Sequence, residues 1–240
     1  MKTVVIIQAR MGSTRLPGKV LKKVIGKTVL EHVIDRIKKS KEVDEIVIAT
    51  TDKPDDEAIV KEAIRLGVKY FKGSEDDVLG RYYVAAQEND AAIVIRITSD
   101  CPLIDPVIMD DMIKVYKTNS CDYISNTISR TYPRGLDCEV FSFQVLEQAF
   151  NNTAEKYQRE HVTPFIYENK QLFDIKQYLD GEDNSDLRCT LDTQEDYEVI
   201  TRTLELVKAN YTYKDLLYVL RSNPDIVEIN SKIMQKDMRG

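Results

Sequence analysis

The chain has 240 residues, of which 42% are apolar and 31% are charged, a composition typical of a globular protein that buries a sizeable core. Its 34 basic and 40 acidic residues give a net charge of -6, so no general basic field attracts nucleic acid or an anionic membrane, and we expect neither partner. The sequence shows no signal peptide and no run of roughly 18 apolar residues, from which we expect a cytoplasmic protein.

Short runs rich in valine and isoleucine alternate with helical periods in the first half of the chain. The runs are typical of strands buried on both faces, and they span residues 3–9, 45–50, 68–71 and 92–97. The helical periods span residues 28–40, 55–67 and 76–89. The first opens on a Thr28-x-x-Glu31 capping box, and the second ends on Gly67 as a C-cap. The alternation predicts a doubly wound α/β sheet, whose ligands bind beyond the carboxyl ends of the strands.

The rest of the chain is less regular. Strand-like segments span residues 121–127, 139–143 and 173–179, and helices are expected over residues 143–151, 160–169, 194–210 and 212–223. No Gly, Ser or Pro linker interrupts the chain. We therefore predict a single domain over residues 1–240, divided into a nucleotide-binding half (1–118), a smaller strand-containing lobe (119–185) and a C-terminal part (186–240).

The cysteines do not indicate a metal or redox site. Cys101, Cys121, Cys138 and Cys189 lie far apart, and none forms a C-x-x-C pair. This spacing disfavours a zinc knuckle or a redox pair and predicts reduced thiols.

The segment "IIQARMGSTRLPGKV" directly follows the first predicted strand. Gly12 and Gly18 permit backbone conformations and close approaches that other residues would block. Cations that can converge on one anion lie in the same segment: Arg10, Arg15 and Lys19. The glycine spacing matches neither a P-loop nor the G-x-G-x-x-G dinucleotide fingerprint. The segment predicts a phosphate-binding loop, and the alternative is a basic surface loop.

Two acidic residues follow predicted strands. In "RITSDCPLIDP", Asp100 comes at the carboxyl end of a strand, where it can hold a hard cation such as Mg²⁺ beside a phosphate. The alternative is that Asp100 caps the helix entering at Pro106, but Asp105 is closer to that position. In "RCTLDTQEDYE", Asp192 follows another short strand. On its own, Asp192 or Thr193 is interpreted as a helix N-cap.

The order of "IIQARMGSTRLPGKVL", "SDCPLIDP", "REHVTPFIY" and "LDTQEDYE" resembles the cytidylyltransferases of acidic-sugar activation, the acylneuraminate and CMP-Kdo synthetase type. The most similar branch is that of spore-coat polysaccharide biosynthesis protein F. The resemblance implies a nucleotide-diphospho-sugar transferase fold, which is Rossmann-like. It also implies transfer of CMP from CTP to a sugar with release of pyrophosphate, in surface or spore-coat polysaccharide biosynthesis. A homodimer formed through the middle lobe, near residues 127–143, is implied as well.

Carried over by position, the resemblance implies specific roles. The nucleotide contacts are Ala9, Arg10, Gly12, Ser13, Arg15 and Lys19. Apart from the resemblance, Arg81 in "GSEDDVLGRYY" is expected to contact the nucleotide, and the alternative is that it only decorates the third helix. Asp100 and Asp192 match the Mg²⁺ ligands, which replaces the interpretation of Asp192 as a cap. Arg15, Lys19 and Asp100 are the catalytic residues. Nucleotidyl transfer requires positioning and charge neutralisation rather than a protein nucleophile, which agrees with these residue types.

The acceptor is not fixed by the resemblance. The family usually has proline where this chain has Gln8, and the H-x-G-I-Y stretch of the Kdo branch is not found. Acceptor contacts are expected from the turn "YPRGLDCEVFSF" and from "REHVTPFIY": Arg134, Asp137, Glu139 and His161. The alternatives are a solvated surface turn and a structural histidine. Asp77 could reach the nucleotide or acceptor, or could cap the third helix.

Two other classes of function stay open. A GT-A glycosyltransferase uses a related sheet but usually carries a D-x-D pair, whereas "TSDCP" has one acid. A non-catalytic nucleotide-binding protein would be expected to have lost the basic loop or the acids, and both are retained.

Overall fold

The computed structural model describes residues 1–236, and the predicted apolar runs pair in one central sheet. Nine strands occur within these residues: β1 (Thr3–Gln8), β2 (Lys23–Val24), β3 (Lys27–Thr28), β4 (Glu45–Thr51), β5 (Lys69–Gly73), β6 (Ile93–Thr98), β7 (Tyr123–Ser125), β8 (Glu139–Ser142) and β9 (Ile175–Gln177). β2 and β3 form a separate antiparallel hairpin directly after the phosphate-binding loop.

The central sheet has seven strands in the order β5-β4-β1-β6-β8-β7-β9. β1 pairs in parallel with both β4 and β6, so its carboxyl end lies in the middle of one sheet edge. β8 is antiparallel to β6 and to β7. The central β1 residues Val4 and Ile7 are fully buried, as expected for a strand covered on both faces. The predicted α/β fold is confirmed.

Helices cover both faces of this sheet. They are α1 (Val29–Ile37), α2 (Glu57–Leu66), α3 (Val78–Glu88), α4 (Pro106–Thr118), α5 (Phe143–Asn152), α6 (Lys156–His161), α7 (Pro164–Glu168), α8 (Gln194–Leu206), α9 (Tyr213–Ser222) and α10 (Pro224–Asn230). One apolar cluster packs α1, α2, α4, α8 and α9 against one face, and a second packs α3, α5 and α7 against the other. The molecule is therefore a three-layer α/β structure.

Several predicted helix ends are confirmed. Thr28 accepts the Glu31 N–H at 3.0 Å, although the Glu31 carboxylate pairs with Arg65 rather than closing the capping box. Gly67 ends α2 in the left-handed region, with φ 64°. Asp105 caps α4 by accepting two N–H groups.

Other helix predictions are wrong in detail. The single helix expected over residues 160–169 is two short helices, because Val162 adopts φ 72° and Pro164 begins α7. α10 was not predicted. The expected strands of the middle lobe extend the central sheet as β7, β8 and β9. Residues 237–240, the end of the predicted C-terminal part, lie outside the described residues.

Two expectations from composition concern the whole chain. In the described residues, every cysteine is a free thiol, and three of the four are buried. Across residues 1–236, no helix combines the length and apolar character needed to cross a membrane.

Candidate active site

The phosphate-binding loop predicted after β1 is held in a closed turn by hydrogen bonds to one backbone carbonyl. The Met11 carbonyl accepts the N–H groups of Ser13 (2.8 Å) and Gly18 (3.1 Å). Gly18 has φ 65°, a conformation that favours glycine. The Met11 N–H donates to Asp56 at 2.6 Å, and Asp56, which is buried, also accepts the Thr51 hydroxyl. The loop is thus tied to the connection between β4 and α2.

One side of this loop faces an acidic residue. Glu75 pairs with Arg10 at 3.4 Å and with Lys53. Arg81, predicted as a nucleotide contact, lies beneath this side: it is 3% exposed and donates to the backbone carbonyls of Ser74 and Glu75. Burial, together with the charge of Arg10, lowers the pKa of Arg81. In this structure Arg81 holds the segment that carries Glu75.

Asp100 and Asp192 lie on either side of a single cation. The Lys19 ammonium donates to Asp100 Oδ2 at 2.9 Å, to Asp192 Oδ1 at 2.8 Å and to the Leu191 carbonyl at 2.7 Å. The two acidic segments are joined directly, because the Asp100 carbonyl accepts the Leu191 N–H at 2.9 Å. Residues distant in sequence are therefore assembled at the carboxyl edge of the sheet.

The contact between Lys19 and Asp100 favours the charged form of both residues. Burial opposes ionisation of Lys19, but the charges of Asp100 and Asp192 outweigh it, and the pKa of Lys19 is raised. Burial likewise opposes ionisation of Asp100, but the Lys19 charge and hydrogen bonds lower the pKa of this carboxyl below its ordinary value. At neutral pH the site therefore contains the Asp100 carboxylate in contact with the Lys19 ammonium.

Two arginines complete the surroundings of Asp192. Its Oδ2 atom is 2.9 Å from Arg15 and 3.1 Å from Arg188. The N-cap of α8 is Thr193, which forms a capping box with Asp196. Of the two N-cap candidates, Thr193 is confirmed and Asp192 is wrong. Sequence reasoning also missed Arg188 and Asp196, although the Thr193-x-x-Asp196 spacing was a readable capping signal.

The residues present fit one divalent cation shared with substrate. Within residues 1–236, no group of three or more His, Cys, Asp or Glu side chains could hold a metal ion. Mg²⁺ usually takes one or two protein carboxylates, with waters and substrate phosphates as its other ligands. Asp100 and Asp192 already share a cation, the Lys19 ammonium, so they are close enough to share another.

The predicted acceptor turn lies beside this group. The Arg134 N–H donates to the Leu187 carbonyl at 3.0 Å, and the Arg134 carbonyl accepts the Cys189 N–H at 2.6 Å. Gly135 has φ 103°, and a Cβ atom there would lie 2.4 Å from the Cys189 carbonyl carbon. Only glycine lets the turn approach so closely. The contact sets Arg134 next to Arg188.

The Arg134 side chain has no direct ion-pair partner within the described residues. Its guanidinium is partly buried and makes no hydrogen bond or ion pair with any residue in the described part of the chain. Burial, together with the charge of Arg130, lowers the pKa of Arg134. The Asp137 charge acts in the opposite direction, but the Asp137 carboxylate accepts two hydrogen bonds from the side chain of Arg130, at 2.6 and 3.1 Å, and none from that of Arg134.

The other predicted acceptor residues lie elsewhere. Glu139 is in β8 rather than in an exposed turn, is 5% exposed, and is bound by Arg96 and the Tyr123 hydroxyl. The placement of Glu139 in the turn is therefore wrong, and its contact with the acceptor stays a prediction. His161 is partly buried at the end of α6. Asp77 caps α3 by accepting the N–H of Gly80.

Comparison with known proteins agrees with this geometry. A family model described as "Cytidylyltransferase" matches residues 4–233. An uncharacterized protein of Methanocaldococcus jannaschii is 42% identical, covering 100% of this chain and 98% of that protein. Spore coat polysaccharide biosynthesis protein SpsF of Bacillus subtilis is 34% identical, covering 92% and 94%. The solved structure of a cytidylyltransferase from Leptospira borgpetersenii superposes with a TM-score of 0.92 at 35% identity, covering 99% and 100%.

Proposed function

The chain belongs to the cytidylyltransferase family, and from this premise we propose that it transfers CMP from CTP to an acidic sugar, with release of pyrophosphate and with Mg²⁺ held by Asp100 and Asp192. The observation that carries the proposal is the contact of both carboxylates with the Lys19 ammonium beside the phosphate-binding loop. The reaction needs cations and a metal ion at the same point, and the sheet edge supplies ligands for both.

The loop supplies the triphosphate contacts. Arg15 and Lys19 now neutralise Asp192 and Asp100, and both cations can turn to phosphate oxygens when a divalent ion takes over the carboxylates. Arg10 and the Ser13 hydroxyl lie in the same loop, next to Ala9 and Gly12. When bound, Mg²⁺ would neutralise charge on the transferring phosphoryl group and on the leaving pyrophosphate. The protein's share of the chemistry is in-line positioning of the acceptor hydroxyl.

The acceptor is proposed to be acidic because the Arg134 guanidinium has no ion-pair partner within the described residues. A guanidinium can hold a carboxylate through two parallel hydrogen bonds, and Arg134 lies beside the segment that carries Asp192. Asp137 contributes by pairing with Arg130, which leaves Arg134 as the arginine that would bind the acceptor carboxylate. His161 is retained as an acceptor contact, whereas Glu139 is engaged by Arg96 within the sheet.

The proposal also includes a homodimer. The segment 127–143 is proposed as the dimer contact. Ile128 is 37% exposed, whereas Leu136 and Cys138 are fully buried within the chain, so the contact would be made by the first residues of the segment. Sedimentation showing a monomer at micromolar concentration would contradict this.

The similarity to SpsF supports a role in polysaccharide biosynthesis, and the use of CTP supports a cytoplasmic reaction.

A pyrophosphate-release panel tests the function. CTP, UTP, ATP and GTP are each incubated with Mg²⁺ and a set of acidic and neutral sugars, and CTP with an acidic sugar is expected to give the fastest release. Asp100→Asn should abolish release, and Asp111→Asn, the same change on the surface of α4, should not. Equal release with UTP or ATP would contradict the nucleotide assignment. A glycosyltransferase would instead consume a nucleotide-sugar and release no pyrophosphate.

A further inference from the structure

The Asp196 carboxylate, which lies behind Asp192, accepts an unusual number of hydrogen bonds. Asp196 is fully buried, and each of its oxygens accepts more than one N–H group. The donors are Arg188 Nε (2.8 Å) and Nη2 (3.0 Å), Asn230 Nδ2 (2.9 Å), the Asp192 N–H (2.9 Å) and the Thr193 N–H (3.1 Å). A capping box needs only one of these bonds, so capping alone does not account for the cluster.

The cluster leads directly to Asp192. The Arg188 Nη2 atom that donates to Asp196 also donates to Asp192 Oδ2 at 3.1 Å. Asp196 additionally fixes the Asp192 peptide through the Asp192 N–H. Asp196 therefore constrains both the backbone and, through Arg188, the carboxylate of Asp192.

Helix α10 contributes the last member of this hydrogen-bonded cluster, Asn230. Asn230 ends this helix, is 2% exposed, and donates from one amide nitrogen to Asp196 Oδ1 and to the Arg188 carbonyl at 3.1 Å. The segment after α10 also reaches Arg188, because Gln235 accepts a hydrogen bond from its Nη1 atom at 3.0 Å. Asn230 and Gln235 thus lie behind the site, and within residues 1–236 neither side chain forms a hydrogen bond with Asp192 itself.

We propose that Asp196, Arg188 and Asn230 are positioning residues that hold the Asp192 carboxylate in the orientation needed to share a divalent cation with Asp100. This inference rests on the proposed function. Hydrogen-bonded partners behind a metal ligand fix its orientation, and their loss typically lowers metal affinity by about 10- to 100-fold. The C-terminal helix then belongs to the construction of the active site rather than only to the packing of the fold.

The test compares Asn230→Ala with Asn223→Ala. Both changes remove a side-chain amide at one end of α10, Asn230 being its last residue and Asn223 the residue that precedes it. Asn223 donates to the Val219 carbonyl in α9, and no hydrogen bond within the described residues joins it to Asp196. For each full-length variant we would measure the Mg²⁺ concentration that gives half-maximal turnover, Mn²⁺ binding by electron paramagnetic resonance in the presence of CTP, and the melting temperature. Arg188→Lys, which keeps the charge but loses the forked guanidinium, is the second variant and covers the case in which Asn230→Ala fails to fold.

The expected result is that Asn230→Ala and Arg188→Lys raise the Mg²⁺ midpoint and weaken Mn²⁺ binding by about tenfold, the lower end of the range for such partners, with KM for CTP at saturating Mg²⁺ nearly unchanged. Asn223→Ala should leave both metal readouts at the parent value. Lower melting temperatures with unchanged metal readouts in both test variants would overturn the inference while leaving the proposed function intact. Absence of CTP-dependent Mn²⁺ binding in the parent would overturn the proposed function, and the inference with it.

Discussion

Lys19→Met removes the ammonium that holds Asp100 and Asp192 together while keeping a side chain of similar length. After the change, Asp192 still faces Arg15 and Arg188, whereas Asp100 loses its ion-pair partner. Leaving a buried polar group unsatisfied costs about 1–3 kcal/mol, and the 23% exposure of the Asp100 side chain argues for the lower half of that range. We therefore expect a loss of about 1–2 kcal/mol in the free energy of unfolding at neutral pH.

The pH dependence of this loss has a definite sign. Because Lys19 lowers the pKa of Asp100, the pairing stabilises the fold at pH above the ordinary carboxyl pKa of about 3.9 and ceases to do so as pH falls through the lowered value. The parent and Lys19→Met should thus differ in stability at pH 7 and converge under acid conditions. Denaturant unfolding at several pH values measures this, with Lys23→Met as a control that removes an exposed lysine from the same segment.

The same variant separates two roles of Lys19. Turnover with CTP should fall sharply, since a charge-assisted contact to the triphosphate is lost. Binding of Mn²⁺ to the nucleotide-free protein should become tighter, because the ammonium no longer competes for the two carboxylates. Weaker or unchanged Mn²⁺ binding, or an equal stability loss at pH 7 and in acid, would refute the reasoning.

Three further predictions follow from single contacts. Gly135→Ala should destabilise the protein by about 2 kcal/mol or more and impair turnover, because a Cβ at φ 103° meets the Cys189 backbone. Thermal unfolding and turnover measure this, and parent values in both would contradict it. Arg134→Met should raise KM for an acidic acceptor while leaving KM for CTP unchanged, and initial-rate kinetics in both substrates distinguish the two. Asp56→Asn should raise KM for CTP, since the Met11 N–H loses its charged acceptor, and an unchanged KM would assign Asp56 to the fold alone.

Much of the nucleotide-binding half could be predicted from the sequence. Strands such as β1 and β6 are mostly valine and isoleucine because both of their faces are covered, and that pattern is visible without a structure. The position of the loop after β1 was predictable for a related reason, since glycines and cations directly follow that buried strand in the sequence. The position of Asp100 at the carboxyl end of β6 was likewise visible from the residues, and the roles of both in binding stay predictions.

The contacts around Asp192 could not be predicted, because they join segments distant in sequence. Lys19 contacts Asp192 across 173 positions, and Asn230 contacts Asp196 across 34, separations on which periodicity carries no information. Glu139 failed for a different reason: a charged residue next to a turn suggests exposure, whereas its partner Arg96 lies on the neighbouring strand and allows burial.

The central claim is that Asp100 and Asp192 serve one divalent cation, and a double-mutant cycle in turnover tests it most directly. Asp100→Asn, Asp192→Asn and the double variant are compared with the parent across a Mg²⁺ titration, with melting temperatures as the control for folding. We predict folded proteins in which each single change severely lowers turnover and the double change costs less than the product of the two. Parent-like turnover of Asp192→Asn at every Mg²⁺ concentration would contradict the account.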